Sequence, residues 1–124
     1  MSNLILVKNC TAGAAINAYR IVKLSAADTV VLAAAATDLL VGVNTDVAPA
    51  LGERCDVALM GIAFVEAGAA IALGAFVTAD AVGRGVTAAP GAGVNNRVIG
   101  FALEAATAAG DVIRVALEAG VMQG

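Results

Sequence analysis

The side chains here that could act on a substrate are carboxylates, arginines and two cysteines, because histidine is absent. Without histidine the commonest general base is gone, and with it the usual catalytic triad and most transition-metal sites. The acids are Asp28, Asp38, Asp46, Glu53, Asp56, Glu66, Asp80, Glu104, Asp111 and Glu118. Paired acids can hydrolyse glycosides. Most of these stand beside Gly or Ala at expected turns, where acids solvate loop ends. Asn44-Thr45-Asp46 is the nearest approach to the alternating Asp/Asn pattern of a calcium loop, and a turn accounts for it better. Cys10 and Cys55 are too few for a four-ligand zinc site and lie far apart in sequence. They read as two buried free thiols, not as a disulfide framework. Asn9-Cys10-Thr11 has the letters of a glycosylation acceptor, but Met1 to Lys8 lacks the basic start and full apolar region of a signal peptide. No GxxxxGK[ST] phosphate loop and no Gly-x-Ser-x-Gly elbow occurs, and Gly83-Arg84-Gly85 reads as a turn. The expectation is therefore no enzyme, no metal and no cofactor.

What remains is recognition by surface contact. Lys8, Arg20, Lys23, Arg54, Arg84, Arg97 and Arg114 are scattered, and net charge is −3. Duplex binding needs a concentrated basic face, so nucleic acid is not an expected partner. Arginine forms forked bonds to carboxylates, and interface anchors favour Tyr and Arg. The interface residues expected on these grounds are Tyr19, Arg20, Arg54, Arg84 and Arg97, together with the apolar run Leu4, Ile5, Leu6 and Val7. Arg54 and Asp56 lie two apart, hence on one face of a strand.

The elements that must position these residues are short apolar runs separated by Gly, Asp or Asn. Strands are predicted over Ala18–Leu24, Thr29–Ala33, Leu39–Val43, Arg54–Met60 and Ile62–Glu66. Gly74–Thr78, a turn at Asp80–Gly85, Val86–Thr87, Arg97–Leu103 and Asp111–Leu117 follow. An echo runs through them at an offset of 58 residues: Gly42 falls on Gly100, Gly52 on Gly110, Glu53 on Asp111, and Val57-Ala58-Leu59 on Val115-Ala116-Leu117. Two equivalent hairpins would build the two halves of a barrel. Alanine favours helix, so Ala33–Ala36 and Glu104–Ala109 are allowed a turn or two of it. Residues 88–96 read as a loop tip. The fold class expected is all-β: a small barrel or sandwich of short antiparallel strands, with an N-terminal arm at 1–17 and a β domain at 18–124.

Composition points to assembly. Charged residues make up only 14% against a usual quarter, and a surface so poor in charge is expected to be covered by copies or by a larger structure. Trp is absent and Tyr19, Phe64, Phe76 and Phe101 are the only aromatics, which disfavours a sugar- or receptor-binding tip. The longest uncharged stretch, Ala67–Ala79, is shorter than the ~20 apolar residues of a spanning helix, so no membrane is expected.

Two stretches carry a resemblance. Gly61 to Asp80 follows a pattern G-x-x-x-V-x-A-G-x-x-I-x-x-G-x-x-V-x-x-D. Val98 to Ala106 with Gly110 to Leu117 follows IG-x-A-L-x-A-A … G-D-x-x-x-V-x-L. Both resemble the small capsid decoration, or cement, proteins of tailed phages, over roughly Ala18 to Leu117. The motifs are structural glycines and alternating apolar residues. The resemblance implies a β-rich fold on the outer capsid surface of the virion, made in the host bacterial cytoplasm. It implies the major capsid protein as partner, self-association as homotrimers or dimers, and stabilisation of the capsid. It supplies no catalytic residues. The N-terminal segment is not covered and is expected to be an arm that orders on the capsid or a neighbouring copy. The alternatives are another virion component, such as a tail or fibre-base module, and a small enzyme or carrier.

Overall fold

The computed structural model describes residues 3–124, leaving Met1 and Ser2 outside the described residues. The described residues form nine strands and no helix: β1 Asn3–Ala12, β2 Ile21–Ala26, β3 Thr29–Leu32, β4 Leu40–Asn44, β5 Arg54–Glu66, β6 Phe76–Ala79, β7 Gly85–Thr87, β8 Asn95–Ala102 and β9 Val112–Gln123. The fold is all-β. The alanine-rich connections stay non-helical for a local reason. Asp38 Oδ2 accepts from the backbone N–H of Ala34 and Ala35 at 2.8 and 3.0 Å, and Asp111 Oδ2 accepts from Thr107 and Ala108 at 2.8 and 3.3 Å. Each carboxylate closes a turn over amide groups that a helix would need.

Several strands differ from the sequence reading: β1 lies in the stretch expected as an arm, β8 starts at Asn95 inside the expected loop tip, and β9 runs on past Leu117 to Gln123 because β8 continues to pair with it. The strand expected from Ala18 starts at Ile21, because Tyr19 sits in a turn with a left-handed φ of 61°. The two strands expected on either side of Gly61 are one, since Gly61 adopts a φ of 105° that lets β5 continue.

The pairing makes two closed units that share β5. In the first, the order β1-β3-β2-β4-β5 closes on itself through an antiparallel β1–β5 ladder. In the second, β5-β9-β8-β6-β7 returns to the end of β5 through a parallel bridge between Ala67 and Gly85. The units are copies. Ala12-Gly13-Ala14-Ala15-Ile16 recurs as Ala67-Gly68-Ala69-Ala70-Ile71. Cross-strand registers recur with it: Val22↔Gly42 and Val22↔Leu32 in the first unit match Val77↔Gly100 and Val77↔Thr87 in the second. Val43↔Ala58 matches Phe101↔Ala116, and the parallel pair Ala12↔Val30 matches Ala67↔Gly85. The 58-residue echo is thus the second half of a duplication of the whole unit. Its first half runs at 55 residues (Ala12 onto Ala67), and the shift grows by three between Thr87 and Val98, because β8 starts at Asn95, three residues before Val98, the counterpart of the first residue of β4. One repeat closes on the strand that opens the next, which is why β5 is 13 residues long.

Each unit has its own core, built from small side chains. Cys10, Ala12, Ile16, Val22, Val30, Cys55 and Val57 fill the first. The second gathers Ala63, Val65, Ile71, Val77, Ile99, Ile113 and Val115, and reaches back to Ile21, Val43 and Ala58. Neighbouring residues of β2, Ile21 and Val22, therefore enter different cores, as do Val57 and Ala58 of β5. The period of two along a strand places consecutive side chains on opposite faces, so these strands form the wall between the cores.

The turn carboxylates give the fold an acid-sensitive component. Asp111 is held below the ordinary carboxylate range by hydrogen bonds from the Thr107 hydroxyl and amide and the Ala108 amide. Glu104 is lowered by hydrogen bonds from the Arg114 side chain and amide. A lowered folded pKa means that these groups stabilise the fold above their unfolded pKa, and that this stabilisation disappears as pH falls through the folded value. We expect thermal midpoints to be flat from pH 6 to 8 and to fall below about pH 4. Asp111→Asn should remove part of that acid dependence. A midpoint as high at pH 3 as at pH 7 would contradict this assignment.

Candidate docking surface

β1 is an open edge. Over Asn3 to Cys10 its only described partner strand is β5, and its other edge carries no ladder until Thr11 and Ala12 meet β3. All four side chains from Leu4 to Val7 are exposed, Ile5 at 76%. An apolar edge strand is normally blunted, because its free N–H and C=O groups template further pairing. Here the nearest charge on the strand is Lys8, which is occupied by Asp28 at 2.7 Å.

A cleft of about 400 Å³ opens beside this strand, lined by Leu4, Val7, Tyr19, Asn44, Asp46, Asp56 and Phe64 among others. Tyr19 packs edge-to-face on Phe64 with ring centroids 6.0 Å apart, so the left-handed turn at Tyr19 aims its ring across the junction of the two units. Asn44 anchors the floor. Its side chain is buried, with Nδ2 donating to the carbonyls of Asn17 at 2.9 Å and Val47 at 2.8 Å, and Oδ1 facing the Cys55 thiol at 3.4 Å. Asn44→Ala should cost about 2–3 kcal/mol, because two loop carbonyls lose their donor in a buried site. A urea denaturation midpoint unchanged from the parent would refute this role.

The sequence-predicted residues separate into two groups. Leu4, Val7 and Tyr19 meet at the cleft, with Ile5 and Leu6 beside them on β1. Arg54 lies at the foot of the same ladder, opposite Thr11, with its side chain 68% exposed and paired to Asp56 at 3.2 Å. Arg20 is not free for a partner. It is largely buried, paired with Glu66 at 3.3 Å, and donates to the Val82 carbonyl at 2.9 Å, tying the first unit to the β6–β7 turn. Arg84 is engaged by Asp80 at 3.1 Å within that turn. Arg97 stands exposed on β8 in the second unit, and no ion pair engages it among the described residues.

A second groove, of about 370 Å³, was not visible in the sequence. Phe76, Phe101, Val121 and Met122 line it, where the far half of β9 continues beyond its pairing with β5 and keeps only β8 as partner. An exposed Phe76 and a half-buried Phe101 spaced by 25 residues carry no local signal, and only the β6–β8 register Phe76↔Phe101 brings them together. Among the described residues no cluster of three or more His, Cys, Asp or Glu is placed to hold a metal ion, and no helix is long and apolar enough to cross a membrane. Both openings are edge-of-sheet clefts with apolar walls, suited to receiving a protein surface.

A family model described as phage cement protein matches residues 2–117. Among solved structures, the N base of the head fibre gp8.5 of bacteriophage phi29 superposes with a TM-score of 0.69 at 20% sequence identity, covering 96% of this chain and 98% of that one. At that identity the likeness is one of fold. No curated protein sequence matches the chain.

Proposed function

We propose that this chain, which belongs to the phage cement protein family, binds the outer surface of the major capsid protein lattice and stabilises the assembled head. The observation that carries this reading is the open apolar edge of β1 beside the Tyr19–Phe64 cleft. A free strand edge gains main-chain hydrogen bonds when an extended segment is added, and the exposed Leu4–Val7 side chains supply the buried apolar contact. Residues 1–17 are the arm in this reading: its exposed part, Asn3–Asn9, reaches the partner, while Cys10, Ala12 and Ile16 seat it in the core of the β domain at 18–124. Arg54 and Arg97 add charge-assisted contacts at the periphery. The chain also self-associates, as a homotrimer or a dimer, through the alanine-rich surface and the Phe76–Phe101 groove. In this role the protein performs no catalysis.

The test is co-sedimentation of the purified protein with expanded shells and, separately, with unassembled capsid subunits. A site that spans several subunits gives tight binding to shells and weak binding to free subunits, because many modest contacts act together. Equal affinity for both would refute the lattice reading. A base module of a fibre is the second reading, favoured by the superposition on a head fibre base. It predicts that shells bind the protein without gaining resistance to heat or chelators.

A further inference from the structure

The only two cysteines of the chain face each other. Cys10 of β1 and Cys55 of β5 are direct partners in the antiparallel ladder, although 45 positions separate them in sequence. Both are buried in the first core, at 6% and 1% exposure, and both are free thiols. Directly opposed residues in such a ladder have Cα atoms about 4.5–5.5 Å apart, within the ~4.4–6.8 Å that a disulfide spans. The duplication provides an internal control. The corresponding positions of the second unit are Val65 and Ile113, again direct partners and again buried, so the site needs only two small apolar side chains to pack. Two thiols in the first unit do that packing and can also bond to each other.

We infer that Cys10 and Cys55 form a cross-strand disulfide when the folded protein meets an oxidant, and that the bond latches the N-terminal strand to β5. With a small-molecule disulfide such as oxidised glutathione the step balances. One cysteine thiolate attacks the reagent and releases one reduced glutathione. The second thiolate then attacks the mixed disulfide and releases another. The protein loses two protons and two electrons, and the reagent gains them. Burial makes the reaction slow. The Cys55 thiol is pushed up to about 11, first by desolvation and then by its neighbours Cys10 and Asp56, so little thiolate exists at neutral pH. Cys10 becomes reachable when the end of β1 opens. Its exposed portion, Asn3–Asn9, makes this strand prone to local opening. In a reducing cytoplasm the pair stays reduced, and an oxidising exterior favours the latch.

The experiment treats the full chain with oxidised glutathione at pH 8.5 and follows intact mass, peptide mapping and thermal midpoint. The expected product is a monomer 2 Da lighter (two hydrogens) with a linked Cys10–Cys55 peptide. Its midpoint should lie roughly 5–10 °C higher, and a thiol reductant should reverse the shift. Cys10→Ala and Cys55→Ala should each abolish the shift. A lasting glutathione adduct on one cysteine, a disulfide between chains, or native thiols that react only after unfolding would each overturn the latch.

Discussion

Gly42→Ala and Gly100→Ala should each destabilise the protein by about 3 kcal/mol or more, lowering the thermal midpoint by on the order of 10 °C or preventing folding. The two glycines are equivalent positions of the duplicated unit. Each lies where a strand crosses the closing strand so closely that a Cβ would fall onto a backbone carbonyl, that of Ala58 for Gly42 and that of Ala116 for Gly100. Ala58 and Ala116 are each paired on both sides, Ala58 to Val7 and Val43 and Ala116 to Ile62 and Phe101, so neither carbonyl can retreat without breaking a ladder, and no side-chain rearrangement relieves the overlap. Gly52 and Gly110 form the internal comparison. They too are equivalent, and they have left-handed φ angles of 83° and 96°, but nothing lies within 4 Å of a Cβ built there. Alanine at these two turns should cost only about 1 kcal/mol, the strain of a non-glycine residue at positive φ. Denaturant midpoints for the four variants decide the matter. If alanine at Gly42 or Gly100 proved as mild as at Gly52 and Gly110, the close crossing would not exist in solution.

The second large effect is on binding. Replacing Ile5 by Glu should reduce affinity for expanded shells by about 100-fold or more while leaving the thermal midpoint within about 2 °C of the parent. Ile5 is 76% exposed, so a charge there stays in water in the free protein and costs little. On the capsid the same charge would have to be buried against an apolar partner, and an unpaired buried charge is strongly unfavourable. Leu51→Glu is the matched control, because Leu51 is equally exposed at 72% but sits in the turn before β5 that hydrogen-bonds to Ala12, at the opposite end of β1 from Ile5. Equal occupancy of shells by parent and Ile5→Glu protein, measured by densitometry of sedimented particles, would exclude β1 as the contact strand.

The sequence by itself determined the class of the fold and much of its punctuation. Alternating apolar runs and recurrent Gly–acid turns require short strands, and the acids at Asp38, Asp80 and Asp111 do bind the amides of their own turns. Those interactions are local, within a few residues, so composition and spacing carry them. The resemblance in the glycine pattern was legible for the same reason, since a glycine at a close crossing leaves a fixed mark in the chain. The hairpin echo was also legible, but the whole duplication was harder to see. Its two halves run at different shifts, and the repeated Ala-Gly-Ala-Ala-Ile is written in the commonest residues of an alanine-rich chain.

Tertiary structure alone decided the candidate site. Nothing in the stretch from Leu4 to Val7 says whether it lies in a core or on an open edge, because its hydrophobicity is the same in both. The β1–β5 register makes it an edge. Arg20 and Arg97 are chemically identical in the sequence. One is consumed by Glu66 and the Val82 carbonyl, whereas the other projects from β8 without an ion-pair partner among the described residues. Cys10 and Cys55, too, read as two unrelated thiols until the ladder sets them face to face. The physical reason is the same in all three cases. A strand satisfies its backbone with residues remote in sequence, so which side chains become neighbours is fixed by pairing and register, and local pattern cannot encode either.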